Sequence, residues 1–294
     1  MKLPFDYDHV TPGIFGGTFP NDFDAARVVI LPIPLDRTTS YVPGTRTGPH
    51  EILVASSKME LWDEETETDV HGIGICTLPE MTLPFPSMEE SMREIQRVAG
   101  EILARGKFPF VLGGEHSITP AIVAAAASRH KNLSVLQIDA HADLRDTYFG
   151  TPYSHGCAMR RTLEHAPCTQ VGIRSLSTEE VAAIPSLKTT IFYDHNMRRD
   201  GQWIDRVVDS LTDEVYITID CDGFDPGIMP AVGTPEPGGL SWYEGLSLLR
   251  RVIERRRVVG CDIVELCPIP GQIAPNYLCA RLLYKILSYR FGRQ

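Results

Sequence analysis

Seven short apolar runs, rich in β-branched residues, recur along the chain with segments of helical periodicity between several of them. This alternation constrains the fold more than any other feature. The runs are RVVILPIPL (27–35), FPFVLGG (108–114), LSVLQID (133–139), TQVGIR (169–174), TIFYD (190–194), EVYITID (214–220) and VVGCDIVEL (258–266). Most are apolar at both parities, as strands covered on both faces are. The helical segments carry their own punctuation. MEESMREIQRVAGEILARG (88–106) ends in glycine, and TPAIVAAAASRH (119–130) opens on Thr-Pro. SWYEGLSLLRRVIERR (241–256) places glutamate three residues after serine, the signature of a capping box, and PNYLCARLLYKILSYRF (275–291) reads as an amphipathic helix.

Strand–helix alternation predicts an α/β fold with a mainly parallel sheet and right-handed crossovers. No Pro/Gly/Ser-rich linker or internal repeat divides the 294 residues, so 26–294 should form a single domain. Residues 1–25 lack periodicity and are expected to be an arm over the surface or a subunit contact. In open parallel sheets, ligands bind beyond the carboxyl ends of the strands.

Three of those carboxyl ends carry ionisable residues. His116 follows one run in VLGGEHSIT; Asp139, His141 and Asp143 follow another in IDAHAD; Asp220 and Asp222 close a third in ITIDCDGFDP. In an extended segment, alternate side chains share a face, so each set can point one way. If neighbouring strands bring the ends together, two imidazoles and four carboxylates converge. Four carboxylates cannot share a buried pocket without cations, because like charges repel strongly at low dielectric. Two divalent ions balance them. An oxygen-rich set with imidazole and no thiolate suits Mn²⁺ better than a structural zinc. Two such ions generate an oxygen nucleophile at neutral pH. Cys221, between Asp220 and Asp222, should face away and is not expected to ligate. Acids that merely cap helices or bind surface water explain neither the apolar lead-ins nor the paired spacing.

Net charge is -10 and the pI about 5.4, which weighs against nucleic acid as a partner and mildly favours cationic ligands. The seven cysteines include no CxxC pair and read as reduced thiols, and MKLPFDYDHV lacks the apolar stretch of a secretory leader. No apolar run reaches membrane-spanning length. A cytoplasmic protein is expected.

Together, GGEHS, DAHADLRD, SHGCAMRR, DCDGFDP, GTPEPGGLSW and CDIVELCP resemble the ureohydrolase family of arginases and agmatinases, from about residue 42 to the final helix. The resemblance implies a three-layer α/β/α fold and a centre of two Mn²⁺ ions. It also implies hydrolysis of a guanidinium to urea and an amine, and a homotrimer or homohexamer. By the same resemblance, His116, Asp139, Asp143 and Asp220 hold or bridge to one metal, and His141 and Asp222 complete the other with Asp139 and Asp220. His155, in YSHGC, matches a histidine implicated in proton transfer, and Glu265 a glutamate that pairs with the substrate guanidinium. Elementary chemistry agrees. A guanidinium is planar and resonance-stabilised, so its carbon is a poor electrophile; a carboxylate can hold it through paired hydrogen bonds, and the leaving amine needs a proton. Asp143 can hydrogen-bond the nucleophile while ligating metal.

Arginases carry asparagine where this chain has Arg145, and GTPEPGG resembles the agmatinase branch, which points to agmatine giving putrescine and urea. Arg145 instead suits a guanidino acid, such as guanidinobutyrate, or a salt bridge to Asp146 or Glu164. Ala231 stands where many agmatinases have glycine. Arginase activity, a metal-dependent deacetylase or phosphoesterase, and a non-catalytic metal-binding homologue are the alternatives. His50, His130, His165 and His195 are given no site role.

Overall fold

The computed structural model describes residues 5–7, 9–10, 13–17, 21–83 and 86–292. Among them the strands are β1 (His9–Val10), β2 (Val28–Ile33), β3 (Ile75–Thr77), β4 (Glu80–Met81), β5 (Phe108–Gly113), β6 (Leu133–Ile138), β7 (Cys168–Ile173), β8 (Thr189–Tyr193), β9 (Glu214–Asp220) and β10 (Arg257–Val264). All seven expected runs form strands of one eight-stranded sheet, ordered β3-β2-β5-β10-β9-β6-β7-β8. Every pairing in it is parallel. The eighth member, β3, was not anticipated: three residues are too few to show a period. β1 and β4 form a separate antiparallel pair.

Strands β2, β5, β6 and β7 are buried along their whole length. Their side chains divide by parity. Val28, Ile30, Leu136 and Ile138 enter one core, with the helices Gly48–Ser56, Trp203–Ser210, Trp242–Arg255 and Ala274–Phe291. Val29, Leu31, Ile33, Leu133 and Val135 enter the other, with Met88–Ala104 and Thr119–Ala127. Apolar residues at both parities thus serve two cores, one on each side of the sheet, and the architecture is α/β/α. Ser241 makes the expected capping box with Glu244. No described helix is long and apolar enough to cross a membrane.

Of the leading segment, Tyr7, Phe15 and Phe23 are buried, and the Phe15 N–H donates to Thr77 Oγ1 at 3.0 Å. The rest of residues 1–25 lies partly outside the described residues.

β6 forms beyond the places later taken by β9 and β10. The chain grows across the sheet from β5 through β6 to β8 and then reverses, so that the neighbours β6 and β9 are left by connections running in opposite directions. This is a topological switch point, where a cleft opens at the carboxyl ends. The register aligns those ends: Val264 pairs with Asp220, Ile263 with Leu112, and Ile138 with Ile219. The close fit of β5 needs glycine. A Cβ at Gly114 would lie 1.9 Å from the Leu35 carbonyl oxygen, so no side chain fits where the chain turns toward His116.

Candidate metal centre

Because β5, β10, β9 and β6 are neighbours, the segments leaving them meet. His116 comes from a short 3-10 turn after β5, Glu265 directly follows β10, Asp220 ends β9 and Asp139 follows β6. Two groups of side chains bring ligand atoms within 4.8 Å of one another: His116, Asp139 and Asp220, and Asp139, His141 and Asp222. Asp139 belongs to both. His116 Nδ1 lies 3.1 Å from Asp139 Oδ2 and 3.3 Å from both Asp143 Oδ2 and Asp220 Oδ2. His141 Nδ1 lies 2.9 Å from Asp222 Oδ2 and 3.7 Å from Asp139 Oδ1. All six expected ligands therefore converge.

The local backbone differs from the expected extended segments. Asp139 Oδ1 accepts the His141 N–H at 2.6 Å, and Asp220 Oδ1 accepts the Asp222 N–H at 2.9 Å. Aspartates bond the backbone two residues on, so tight turns replace the pleat. Asp143 has φ of 53° and Glu265 of 63°, a left-handed backbone that costs non-glycine residues of order 1–3 kcal/mol. Both outliers lie in the site. Cys221 faces away as expected, its sulfur 3.5 Å from that of Cys279 in the core.

The electrostatics call for cations. Burial, then the charges of Asp222 and Asp139, hold Asp220 well above the carboxylate range, and burial and Asp139 push Asp143 up to about 6. Burial alone would depress both imidazoles. The surrounding carboxylates reverse this, raising His116 well above its ordinary value and His141 to about 12. With protein atoms alone, the cluster neutralises itself only by holding protons.

His116 supplies a direct test of fit. Its Nδ1 is buried without a hydrogen-bond partner, although it faces three carboxylates. Its Nε2 lies 2.9 Å from Thr218 Oγ1, and the Thr218 hydroxyl donates to Asp262 Oδ1 at 2.5 Å. Thr218 has one proton and gives it to Asp262, so its oxygen accepts from Nε2–H. Neutral His116 then presents the Nδ1 lone pair to the carboxylates, as a metal ligand does. Thr119 and Tyr216 also donate to Asp262, at 3.1 and 2.9 Å. Gln137 Nε2 donates to Asp139 Oδ2 at 2.6 Å.

Thr218 and Asp262 escaped the sequence reading because they sit inside apolar strand runs. Their one signal is parity: Thr218 precedes Asp220 by two positions on β9. Thr218→Val should leave the sheet intact but weaken metal binding by roughly 10–100-fold, since His116 loses the partner that fixes its tautomer. Titration of the metal-free protein with Mn²⁺ checks this; unchanged affinity would count against the ligand orientation.

Beside the cluster is a cavity of about 250 Å³, lined by His141, Asp143, Asp220, Asp222, Glu265 and His155 among others. Glu265 Oε1 accepts the His116 N–H at 2.6 Å. Burial and the charge of Glu115 hold Glu265 well above the usual carboxylate range. His155 is half-buried, and burial lowers it to about 4. Arg145 reaches neither Asp146 nor Glu164. It lies 3.7 Å from Glu179 and stacks over Tyr148 at 4.7 Å, while Asp146 and Glu164 pair with Arg161. Helix formation at Thr178–Ala183 brings Glu179 to it, a contact that local sequence did not reveal. Of the histidines given no role, His130 bonds Glu214 at 2.9 Å and His195 stacks on Tyr193, both away from the cluster.

The sequence model of the arginase family matches residues 26–288. A Synechocystis protein named N(1)-aminopropylagmatine ureohydrolase is 40% identical over 272 residues, covering 90% of this chain and 89% of that protein. An agmatinase of Pyrococcus horikoshii is 33% identical, covering 91% and 93%. The crystal structure of agmatine ureohydrolase of Thermoplasma volcanium superposes with a TM-score of 0.84 at 33% identity, covering 92% of each chain. Sequence and fold agree along nearly the whole length, and the chain belongs to the arginase family.

Proposed function

We propose that the protein is a ureohydrolase that cleaves the guanidino group of an agmatine-type amine, agmatine itself giving putrescine and urea. The observation that carries this reading is Glu265. Its carboxylate lines the cavity that also exposes Asp143, Asp220 and Asp222. A planar cation paired with Glu265 would have its carbon beside the ligand cluster. His116, Asp139, Asp143, Asp220, His141 and Asp222 would hold two Mn²⁺ ions, which when bound supply a strong oxygen nucleophile at neutral pH.

The residues divide the remaining work. Glu265 binds and orients the guanidinium through paired hydrogen bonds, stronger than neutral ones because both partners are charged. Protonation of Glu265 is favoured by burial, so the arriving cation restores its charge. Asp143 accepts a hydrogen bond from the attacking oxygen and fixes its approach. His155, neutral near pH 7 with a value of about 4, first accepts a proton and then delivers it to the leaving amine.

The names of the relatives support an amine tail over a carboxylate. With Asp143, Asp220 and Asp222 assigned to the metals and Glu265 to the guanidinium, the charged lining groups left for the tail are Glu180, held by the Leu144 and Ser177 N–H groups, and Arg145, held by Glu179 and Tyr148. A second reading extends the tail by an aminopropyl group. The Synechocystis relative and one from Thermus thermophilus, 37% identical, both carry the name N(1)-aminopropylagmatine ureohydrolase. Urea release with added Mn²⁺ from agmatine, N(1)-aminopropylagmatine, arginine and guanidinobutyrate separates these readings. Either amine should exceed both acids in kcat/KM by at least about 10-fold, about 1.4 kcal/mol. Preference for the longer amine selects the second reading, preference for an acid defeats the tail assignment, and no urea from any substrate defeats the activity.

A further inference from the structure

Glu115 is fully buried next to the ligand His116, yet its carboxylate points away from the cluster toward the chain after β2. Its Oε2 accepts the backbone N–H groups of Arg37 and Thr38, at 2.8 and 2.7 Å. Its Oε1 accepts the hydroxyls of Thr38 and Ser117, at 2.9 and 2.6 Å. Thr38 in turn meets His155 twice: it accepts the His155 backbone N–H at 3.0 Å, and its Oγ1 lies 3.3 Å from the ring Nδ1. On the other side of the ring, Nε2 lies 3.4 Å from Ser40 Oγ, and Ser40 lines the cavity.

We propose that Glu115 is a positioning residue that acts through Thr38 to hold His155 with its proton on Nδ1, leaving Nε2 as the proton-accepting atom on the cavity side. The argument is a proton count. A threonine hydroxyl has one proton. Glu115 takes that of Thr38, so Thr38 Oγ1 can only accept from the imidazole. The Nδ1 contact is then N–H···O, and the neutral ring carries its lone pair at Nε2. Ser154 Oγ also lies 3.3 Å from Nδ1, but a free serine hydroxyl can donate or accept, so it does not decide the tautomer. Ser40 can donate to Nε2 until substrate displaces it. A carboxylate that selects an imidazole tautomer is an established device for setting which nitrogen carries a proton; here one hydroxyl stands between them.

This inference rests on the reading of His155 as the proton carrier, and the test separates the two. Full-length protein labelled with ¹⁵N-histidine and loaded with diamagnetic Mg²⁺ reports the tautomer by long-range ¹H–¹⁵N correlation, with His155→Asn assigning the signal. A neutral ring protonated at Nδ1 is expected at pH 7. An Nε2–H ring or an imidazolium overturns the proposal. In Thr38→Val, the Nε2–H form should become populated while Thr38→Ser retains the original tautomer; an unchanged tautomer in Thr38→Val also overturns it. In the Mn²⁺-loaded enzyme, Glu115→Gln and Thr38→Val should lower kcat by about 10–100-fold with KM within about 3-fold and Mn²⁺ content unchanged. Equal activity in both variants refutes the positioning role. If His155→Asn keeps full kcat, the proton-carrier reading fails, whatever the tautomer.

Discussion

Asp139→Ala should abolish metal retention and urea release together. Asp139 is the only residue shared by the two ligand groups, with one oxygen 3.1 Å from His116 Nδ1 and the other 3.7 Å from His141 Nδ1. Alanine leaves both groups short of a donor and removes one negative charge from the cluster. Losing metal activation costs several kcal/mol of transition-state stabilisation, so the rate should fall on the order of 10³-fold or more. Asp222→Ala affects one group directly and should lose less metal. Metal analysis of the purified variants, alongside urea release, checks both. A variant with full metal content and normal rate would remove Asp139 from the centre. Thermal melting guards against a trivial loss of fold. Alanine at 139 takes away the acceptor of the Gln137 amide and the His141 N–H, so a lower melting temperature is expected of a protein that still folds.

Glu265→Gln should give the opposite pattern, with metal kept and catalysis lost. Glutamine preserves the volume and can still accept the His116 N–H through its carbonyl oxygen. It cannot offer two anionic oxygens to a guanidinium. A hydrogen bond to a charged group is worth roughly 1.5–3 kcal/mol. Losing the charge from a paired contact should therefore lower kcat/KM by about 10²–10⁴-fold. Mn²⁺ stoichiometry equal to that of the parent protein, with KM and kcat measured separately, checks the expectation. A Glu265→Gln enzyme of normal activity would exclude the guanidinium clamp while leaving the metal centre intact.

The two variants test residues whose visibility in the sequence differed. Asp139 and Asp222 stood out because charged side chains at the end of buried strands must have a partner. Glu265 was legible only through the surrounding motif, since a lone glutamate after a strand is ordinary. The turn geometry at Asp139 and Asp220 was not legible, because a short polar side chain can bond its own backbone in place of continuing a strand. Arg145 shows the same limit at longer range. Its charge was plain, but Glu179 reaches it only after a separate helix forms. Thr218 and Asp262 were hidden for another reason: inside an apolar run, a polar residue declares itself only when the facing strand is known. The sheet was far easier to read than its short edge member, because each long strand repeats its evidence over six or more residues.

Strand order carries a consequence for biosynthesis. β3-β2-β5 and β6-β7-β8 are two three-stranded halves with no hydrogen-bonded boundary in common; β9 and β10 join them. A nascent polypeptide that has emerged only through β8 has His116 and Asp139 on separate halves. Both halves present an open edge until translation supplies the last two strands. Exposed edges of this kind invite pairing with other chains. Ribosome-bound intermediates arrested after β8 should therefore be the aggregation-prone species, and arrest beyond β10 should relieve it.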